Sequence, residues 1–256
     1  MAFTIALVLL AGGLALPSSI LGAAGPSTPL RAGPSTPLRA GPATLLRAGQ
    51  TRASAAATLR IYLARHGQTD WNVEQRMQGG TDIPLNATGR KQAAALKDHL
   101  KGVRFDAVYS STLSRSRETA EIVRGKVALT SLPALGERRF GKFEGLLSTA
   151  PDTGPEFERR RWDPQDALDG GESWIAFGDR VRSAIQTIRS KHPSGSVLVV
   201  GHGGTNQAIL QILFGLSLDD TRAITQANDE LYLIELDAAG APRLWKLVTA
   251  ANLKDL

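Results

Sequence analysis

Leu59-Arg60-Ile61-Tyr62-Leu63-Ala64, closed by Arg65-His66-Gly67, decides the fold, because Val197-Leu198-Val199-Val200, closed by Gly201-His202-Gly203-Gly204, repeats its pattern far downstream. Consecutive apolar, partly β-branched positions with no polar alternation describe strands covered on both faces, as in a parallel sheet under helices. In open α/β sheets the ligand crevice lies beyond the carboxyl ends of the strands. Two histidines that each follow such a strand are therefore expected to converge, although 136 positions separate them. Between and after these runs the periodicity predicts helices over Thr88 to Lys101, Thr112 to Arg124, Glu172 to His192 and Gly204 to Phe214. It predicts further strands over Asp106 to Tyr109, Glu230 to Leu236 and Arg243 to Val248. The expected architecture is a three-layer α/β/α sandwich with a mainly parallel central sheet. The short link Asp237 to Pro242 suits a hairpin and makes one edge strand antiparallel.

Arg65-His66-Gly67-Gln68-Thr69-Asp70-Trp71-Asn72 resembles the opening signature of the histidine phosphatase superfamily, the phosphoglycerate mutase-like proteins. Four further segments match that family in order. They are Pro84 to Gln92, Ser110 to Arg115 with Thr119-Ala120, Leu135-Gly136-Glu137 through Gly141 to Gly145, and Val200 to Gly204. The resemblance runs from about Leu59 to the C-terminus and makes residues 59–256 one catalytic domain.

The residue types suit that chemistry. A neutral imidazole attacks phosphorus near neutral pH and splits one difficult hydrolysis into two displacements through phosphohistidine. His66 is the candidate nucleophile. The transferred group carries negative charge that guanidinium forks bind two oxygens at a time, a task that suits Arg65 and Arg115. His202, if protonated, adds a third charge, and Gly203-Gly204 opens the next helix with bare N–H groups toward an anion. Such a pocket needs no metal and no cofactor. A departing alkoxide needs a proton, and a carboxyl beside a bound dianion holds its proton more firmly. The resemblance gives this acid, and later base, role to Glu137. By the same carry-over Thr69 and Asn72, with Arg65, Arg115, His202 and Gly203, contact phosphate or substrate.

Other features read more plainly. His99 has no catalytic context, and His192 is a favourable charge at a helix C-terminus. Arg159-Arg160-Arg161 reads as a solvated face rather than a clamp for a second substrate charge. Asn86-Ala87-Thr88 is a formal sequon that reads as a loop end, with Thr88 capping a helix. The segment Leu146 to Gly170, where substrate specificity would reside, carries no other readable signal.

Residues 1–58 differ in kind. Ile5 to Leu16 is too short to span a bilayer and is followed by Pro17 and small residues, as in a secretory leader. Then come two copies of Ala-Gly-Pro-Ser-Thr-Pro-Leu-Arg, from Ala24 and Ala32, and a degraded third from Ala40. Such Pro and Gly density cannot build a core. Asp70 is the first acidic residue of the chain. An apolar start followed by an Arg-, Ser- and Ala-rich acid-free stretch resembles a bipartite plastid presequence, with a plain secreted protein as the alternative. The formal charge of +6 is mostly this segment's. Beyond it 26 basic residues face 24 acidic ones, a balance that gives no reason to expect a nucleic-acid partner. The absence of Cys excludes disulfides and thiol chemistry. The sequence thus points to a metal-independent phosphatase of a small phosphorylated metabolite. A bisphosphoglycerate-dependent mutase is the alternative, disfavoured by the short segment between Gly145 and Gly171 and by Phe140 where the mutases usually carry tyrosine. A non-catalytic phospho-ligand-binding relative would be expected to lack His66 or Glu137.

Overall fold

The computed structural model describes residues 58–247. The presequence, apart from Thr58, and residues 248–256, including Val248 of the last expected strand, lie outside the described residues. One six-stranded sheet forms the centre, with β1 (Leu59–Arg65), β2 (Ala107–Ser110), β3 (Leu129–Ser131), β4 (Gly195–Gly201), β5 (Leu231–Leu236) and β6 (Pro242–Leu247) in the order β3-β2-β4-β1-β5-β6. The first four run parallel, and β5 pairs antiparallel with both β1 and β6. The hairpin of β5 and β6 is the expected one. It sets the reversed strand one place in from the edge.

Side-chain alternation explains why the strands read as unbroken apolar runs. Ile61, Leu63, Val197, Val199, Tyr232 and Ile234 point to one face, and Tyr62, Ala64, Leu198, Val200, Leu231 and Leu233 to the other. The first face is covered by α5 (Trp174–Lys191) and α6 (Gly203–Phe214) through Phe177, Val181, Ile185, Ile188 and Ile209. The second is covered by α2 (Ala87–His99) and α3 (Ser114–Val123) through Leu96, Ala120 and Val123. Both faces are core, so no polar period survives. Burying each such aliphatic side chain contributes roughly 1.5–3 kcal/mol, and truncating one to alanine in β1 or β4, both apolar on two faces, costs about 2–5 kcal/mol.

Caps set the helix starts. Asn86, not Thr88, begins α2, since its side chain accepts the Gly89 N–H at 2.8 Å; Thr88 sits inside the first turn. Ser173 caps α5 by accepting from Ala176 N. His192 lies at the C-cap of α5, as expected, and its Nε2 meets the Tyr109 hydroxyl at 2.9 Å. Short elements with no long period went unread: α1 (Asp70–Val73), β3, α4 (Thr153–Arg160) and α7 (Leu218–Ala223). Of these, α4 has a small core of its own, with Phe157 packed on Met77, Phe143 and Leu168. Among the described residues no helix is long and apolar enough to cross a membrane.

Candidate active site

The register of the sheet brings the two histidines together. Arg65 pairs with Gly201 at the carboxyl ends of β1 and β4, and His66 and His202 are each the next residue. The His66 N–H donates to the Gly201 carbonyl at 3.0 Å, and the ring centroids lie 5.1 Å apart. The neighbouring β2 ends at Ser110, so Ser111 and then Arg115, in the first turn of α3, reach the same edge. Gly67 permits the exit from β1, because a Cβ there would stand 2.4 Å from the Gly89 carbonyl oxygen.

Hydrogen bonds fix the imidazoles. His66 Nδ1 lies 2.7 Å from the Gly67 carbonyl oxygen, an acceptor, so Nδ1 carries the proton and Nε2 keeps a free lone pair. The pKa of His66 is pushed well down by burial, then by the positive charges of Arg115 and Arg65. His202 Nδ1 accepts from Arg115 Nε at 3.2 Å, which places its proton on Nε2, toward the Ser111 hydroxyl at 2.7 Å. Burial, then Arg115 and His66, push its pKa well down too. His202 is therefore held neutral and fully buried, and does not line the cavity. In this arrangement it braces Arg115 and packs against His66.

The two arginines carry the charge. Arg115 is fully buried, with Nη1 on the Thr81 carbonyl and Nη2 on the Gly79 carbonyl, and burial pushes it down to about 10. Arg65 donates from Nη1 to the Gln226 carbonyl at 2.6 Å, while its Nε is buried without a partner. Burial also lowers the Arg65 pKa, an effect that the field of Glu137 opposes. Among the described residues neither guanidinium forms an ion pair within 4 Å. A cation removed from water without a counter-charge is costly, so the arrangement favours an incoming anion.

Glu137 faces them across a cavity of about 580 Å³, lined also by Arg65, His66, Asn72, Arg115 and Gly203. Its Oε1 accepts the Arg138 N–H and its Oε2 the Gly204 N–H, both at 2.9 Å. The opening turn of α6 thus receives the protein's own carboxylate at Gly204. Glycine is needed there, because a Cβ would stand 2.5 Å from Glu137 Oε1. Asn72 lines the cavity with its Oδ1 occupied by Thr69, which leaves Nδ2 as the donor. Thr69 is fully buried and does not line it. Its side chain caps α1 and so holds Asn72 in place.

The arginine run splits three ways. Arg159 is exposed, as read. Arg160 is caged by Glu156, Asp166 and Asp169. Arg161 departs from the solvated reading: it lines the cavity, paired with Glu158 at 3.1 Å and stacked over Phe157 and Trp162. Several contributors escaped the sequence reading. The sequence offers Glu144 only as a fallback acid should Glu137 not serve; in the structure it accepts from Gly80 N and Phe140 N, and thereby holds the loop whose carbonyls grip Arg115. Gln78, Gln207, Arg222 and Gln226 line the cavity with no motif or period to mark them. Among the described residues no group of three or more His, Asp or Glu side chains is placed to hold a metal.

The family model of the histidine phosphatase superfamily (branch 1) matches residues 61–248, which contain every residue of this site. The chain belongs to the histidine phosphatase superfamily. It is 34% identical over 179 residues to a Bacillus subtilis (strain 168) protein named "Uncharacterized phosphatase PhoE", covering 68% of this chain and 89% of that one. It is 38% identical over 157 residues to the metal-independent phosphoserine phosphatase of Arabidopsis thaliana, covering 58% of this chain and 66% of that one. Among solved structures it is similar to Bacillus stearothermophilus YhfR, with a TM-score of 0.66 and 31% identity over 75% of this chain and 97% of that one.

Proposed function

We propose that this histidine phosphatase is a metal-independent phosphomonoesterase that hydrolyses a small phosphorylated metabolite through phosphohistidine at His66. The observation that carries the reading is the state of His66: buried, neutral, with Nδ1 tied to the Gly67 carbonyl and Nε2 free beside two arginines that lack ion-pair partners. The phosphate oxygens take the Arg65 and Arg115 forks and the Asn72 amide. Nε2 forms the N–P bond as the ester oxygen leaves with a proton from Glu137. Glu137, now a carboxylate, takes a proton from water, whose oxygen attacks phosphorus and releases inorganic phosphate and neutral His66. The products are an alcohol and phosphate. Phe140 lines the cavity without a hydroxyl, which favours this reading over mutase chemistry.

The test is a rapid alkaline quench with ³²P-labelled substrate. Wild-type protein should carry acid-labile phosphate, and His66→Ala should lose both label and turnover; label persisting on the His66→Ala protein refutes the assignment. Measuring isomer formation alongside phosphate release separates hydrolysis from phosphoryl return to substrate. We further propose that residues 1–58 direct the protein to a plastid through the secretory route, supported by their acid-free Arg- and Ser-rich composition behind an apolar start. N-terminal sequencing of protein purified from its cells tests this, and a mature chain that retains the repeats argues against it.

A further inference from the structure

Glu137 lies between two single turns, Pro133–Leu135 and Gly141–Phe143, outside any α-helix or strand, so no regular ladder orients it. Its carboxyl is held by two N–H groups, from Gly204 and from Arg138. The Arg138 N–H belongs to the peptide group that joins Glu137 to Arg138. That group is planar, so its N–H and its carbonyl, which is the Glu137 carbonyl, turn as one unit. Whatever fixes the carbonyl fixes the donor, and through it the carboxyl.

The carbonyl is fixed from α5. Arg180 Nη2 donates to it at 2.9 Å, while Nη1 donates to the Gly136 carbonyl at 2.8 Å and the Ala134 carbonyl at 3.0 Å. The remaining N–H groups of the guanidinium, on Nε and Nη2, grip the two Glu172 carboxylate oxygens at 2.7 and 2.8 Å. All five donors of the fork are in use. Glu172 is buried, and the guanidinium lies 4.8 Å over the Phe177 ring, so the fork has one orientation. Among the described residues no main-chain N–H reaches the Glu137 carbonyl, which leaves Arg180 as its donor. Neither Arg180 nor Glu172 lines the cavity, so neither meets substrate.

Resting on the phosphohistidine reading above, in which Glu137 is the acid, we infer that Arg180, oriented by Glu172, is a positioning residue for the reaction: it sets the peptide plane that aims the Glu137 carboxyl at the leaving oxygen. The role needs a fork. A lysine keeps a charge beside Glu172 but brings a single nitrogen to three carbonyls spread from Ala134 to Glu137.

Benzyl phosphate and p-nitrophenyl phosphate test this on the full chain, read in kcat/KM, which reports transfer to His66. The benzyl alkoxide needs a proton to leave and nitrophenolate does not. Arg180→Lys should slow benzyl phosphate by about tenfold or more, because misplacing a reacting group by about 1 Å costs up to about 10²-fold, and should slow p-nitrophenyl phosphate far less. Competitive inhibition by inorganic phosphate, which reads the Arg65 and Arg115 forks, should be unchanged. In a Glu137→Gln background the same substitution should add no further selective loss, as expected of two residues that act through one carboxyl. Arg180→Met combined with Glu172→Gln leaves no buried charge unpaired and serves as the second variant if the lysine protein folds poorly. Equal slowing of both esters, a selective loss that persists in full on top of Glu137→Gln, or phosphate inhibition weakened as much as turnover overturns the inference. If Glu137→Gln alone slows both esters equally, the acid reading of Glu137 falls first and takes the inference with it.

Discussion

Lowering the pH should destabilise the folded protein earlier and more steeply than its carboxylates would dictate, because two histidines are buried in neutral form. In the unfolded chain each imidazole takes a proton near pH 6.5; in the fold His66 and His202 stay neutral to well below that, through burial and the neighbouring arginines. The unfolded state thus binds more protons below pH 6.5, so stability rises with pH up to that value and is indifferent to these groups above it. The limiting slope is about 1.4 kcal/mol per pH unit for each histidine, or about 2.7 for the pair, until the folded imidazoles themselves titrate. Against a typical stability of about 5–15 kcal/mol, one or two pH units consume a large share. The depressed carboxyls cannot imitate this. Asp166, lowered to about 2 by Arg160, begins to matter only below about pH 4, where its unfolded form protonates. Urea unfolding between pH 7.5 and 5.0, at fixed ionic strength and without phosphate buffer, gives the slope directly. His202→Gln should lower stability at every pH but roughly halve the slope. A flat profile between pH 6.5 and 5.5, or a slope unchanged in His202→Gln, would refute the placement of two neutral imidazoles.

The other expectations concern turnover. Glu137→Gln should slow alkyl phosphate hydrolysis by about 10²–10⁴-fold and p-nitrophenyl phosphate far less, since nitrophenolate leaves unprotonated; equal slowing on both would move the acid role elsewhere. Among nearby carboxylates, Glu144 holds backbone N–H groups and Glu172 is bound bidentately by Arg180, which leaves Glu158 as the other carboxylate that lines the cavity. Gly204→Ala should displace Glu137 and reproduce its substrate-selective loss with little effect on urea stability, because the clash falls on a side-chain end at 2.5 Å; selective loss absent from the steady-state kinetics would contradict the contact. Treatment with EDTA should leave kcat unchanged, as arginines supply the positive charge; loss of activity restored by a divalent ion would contradict the metal-free route.

The parts legible in the sequence were those with a period or a motif. The unbroken apolar runs at Ile61 to Ala64 and Val197 to Val200 gave both the buried parallel strands and, through their carboxyl ends, the meeting of His66 with His202. What stayed hidden depends on contacts between distant segments. The charge state of His202 follows from an Arg115 bond that spans 87 positions, and nothing local to either residue announces it. Thr69 carries a family pattern but is turned inward by a capping box with Asn72. Arg159 lies in the last turn of α4 and Arg161 at its C-cap, on an element too short to show a period, and that step puts one in solvent and the other against Trp162 in the cavity wall.

In the proposed mechanism the two arginines serve the nucleophile His66 twice, and the second service follows from the first. Left without ion pairs, they favour an anion; they also add to burial, the larger cause, in holding His66 below its ordinary pKa. A protonated imidazole cannot attack phosphorus, so the field that recruits the phosphate also keeps the nucleophile competent across neutral pH. Once the dianion is seated, its charge offsets the arginines, and the field that disfavoured positive charge on the ring is relieved as the N–P bond forms and that charge develops. His202, neutral and hydrogen-bonded to Arg115 Nε, adds no cation to work against this step. A buried positive histidine there would strengthen phosphate binding and oppose transfer to His66, whereas a neutral one holds the Arg115 fork in place without that opposition.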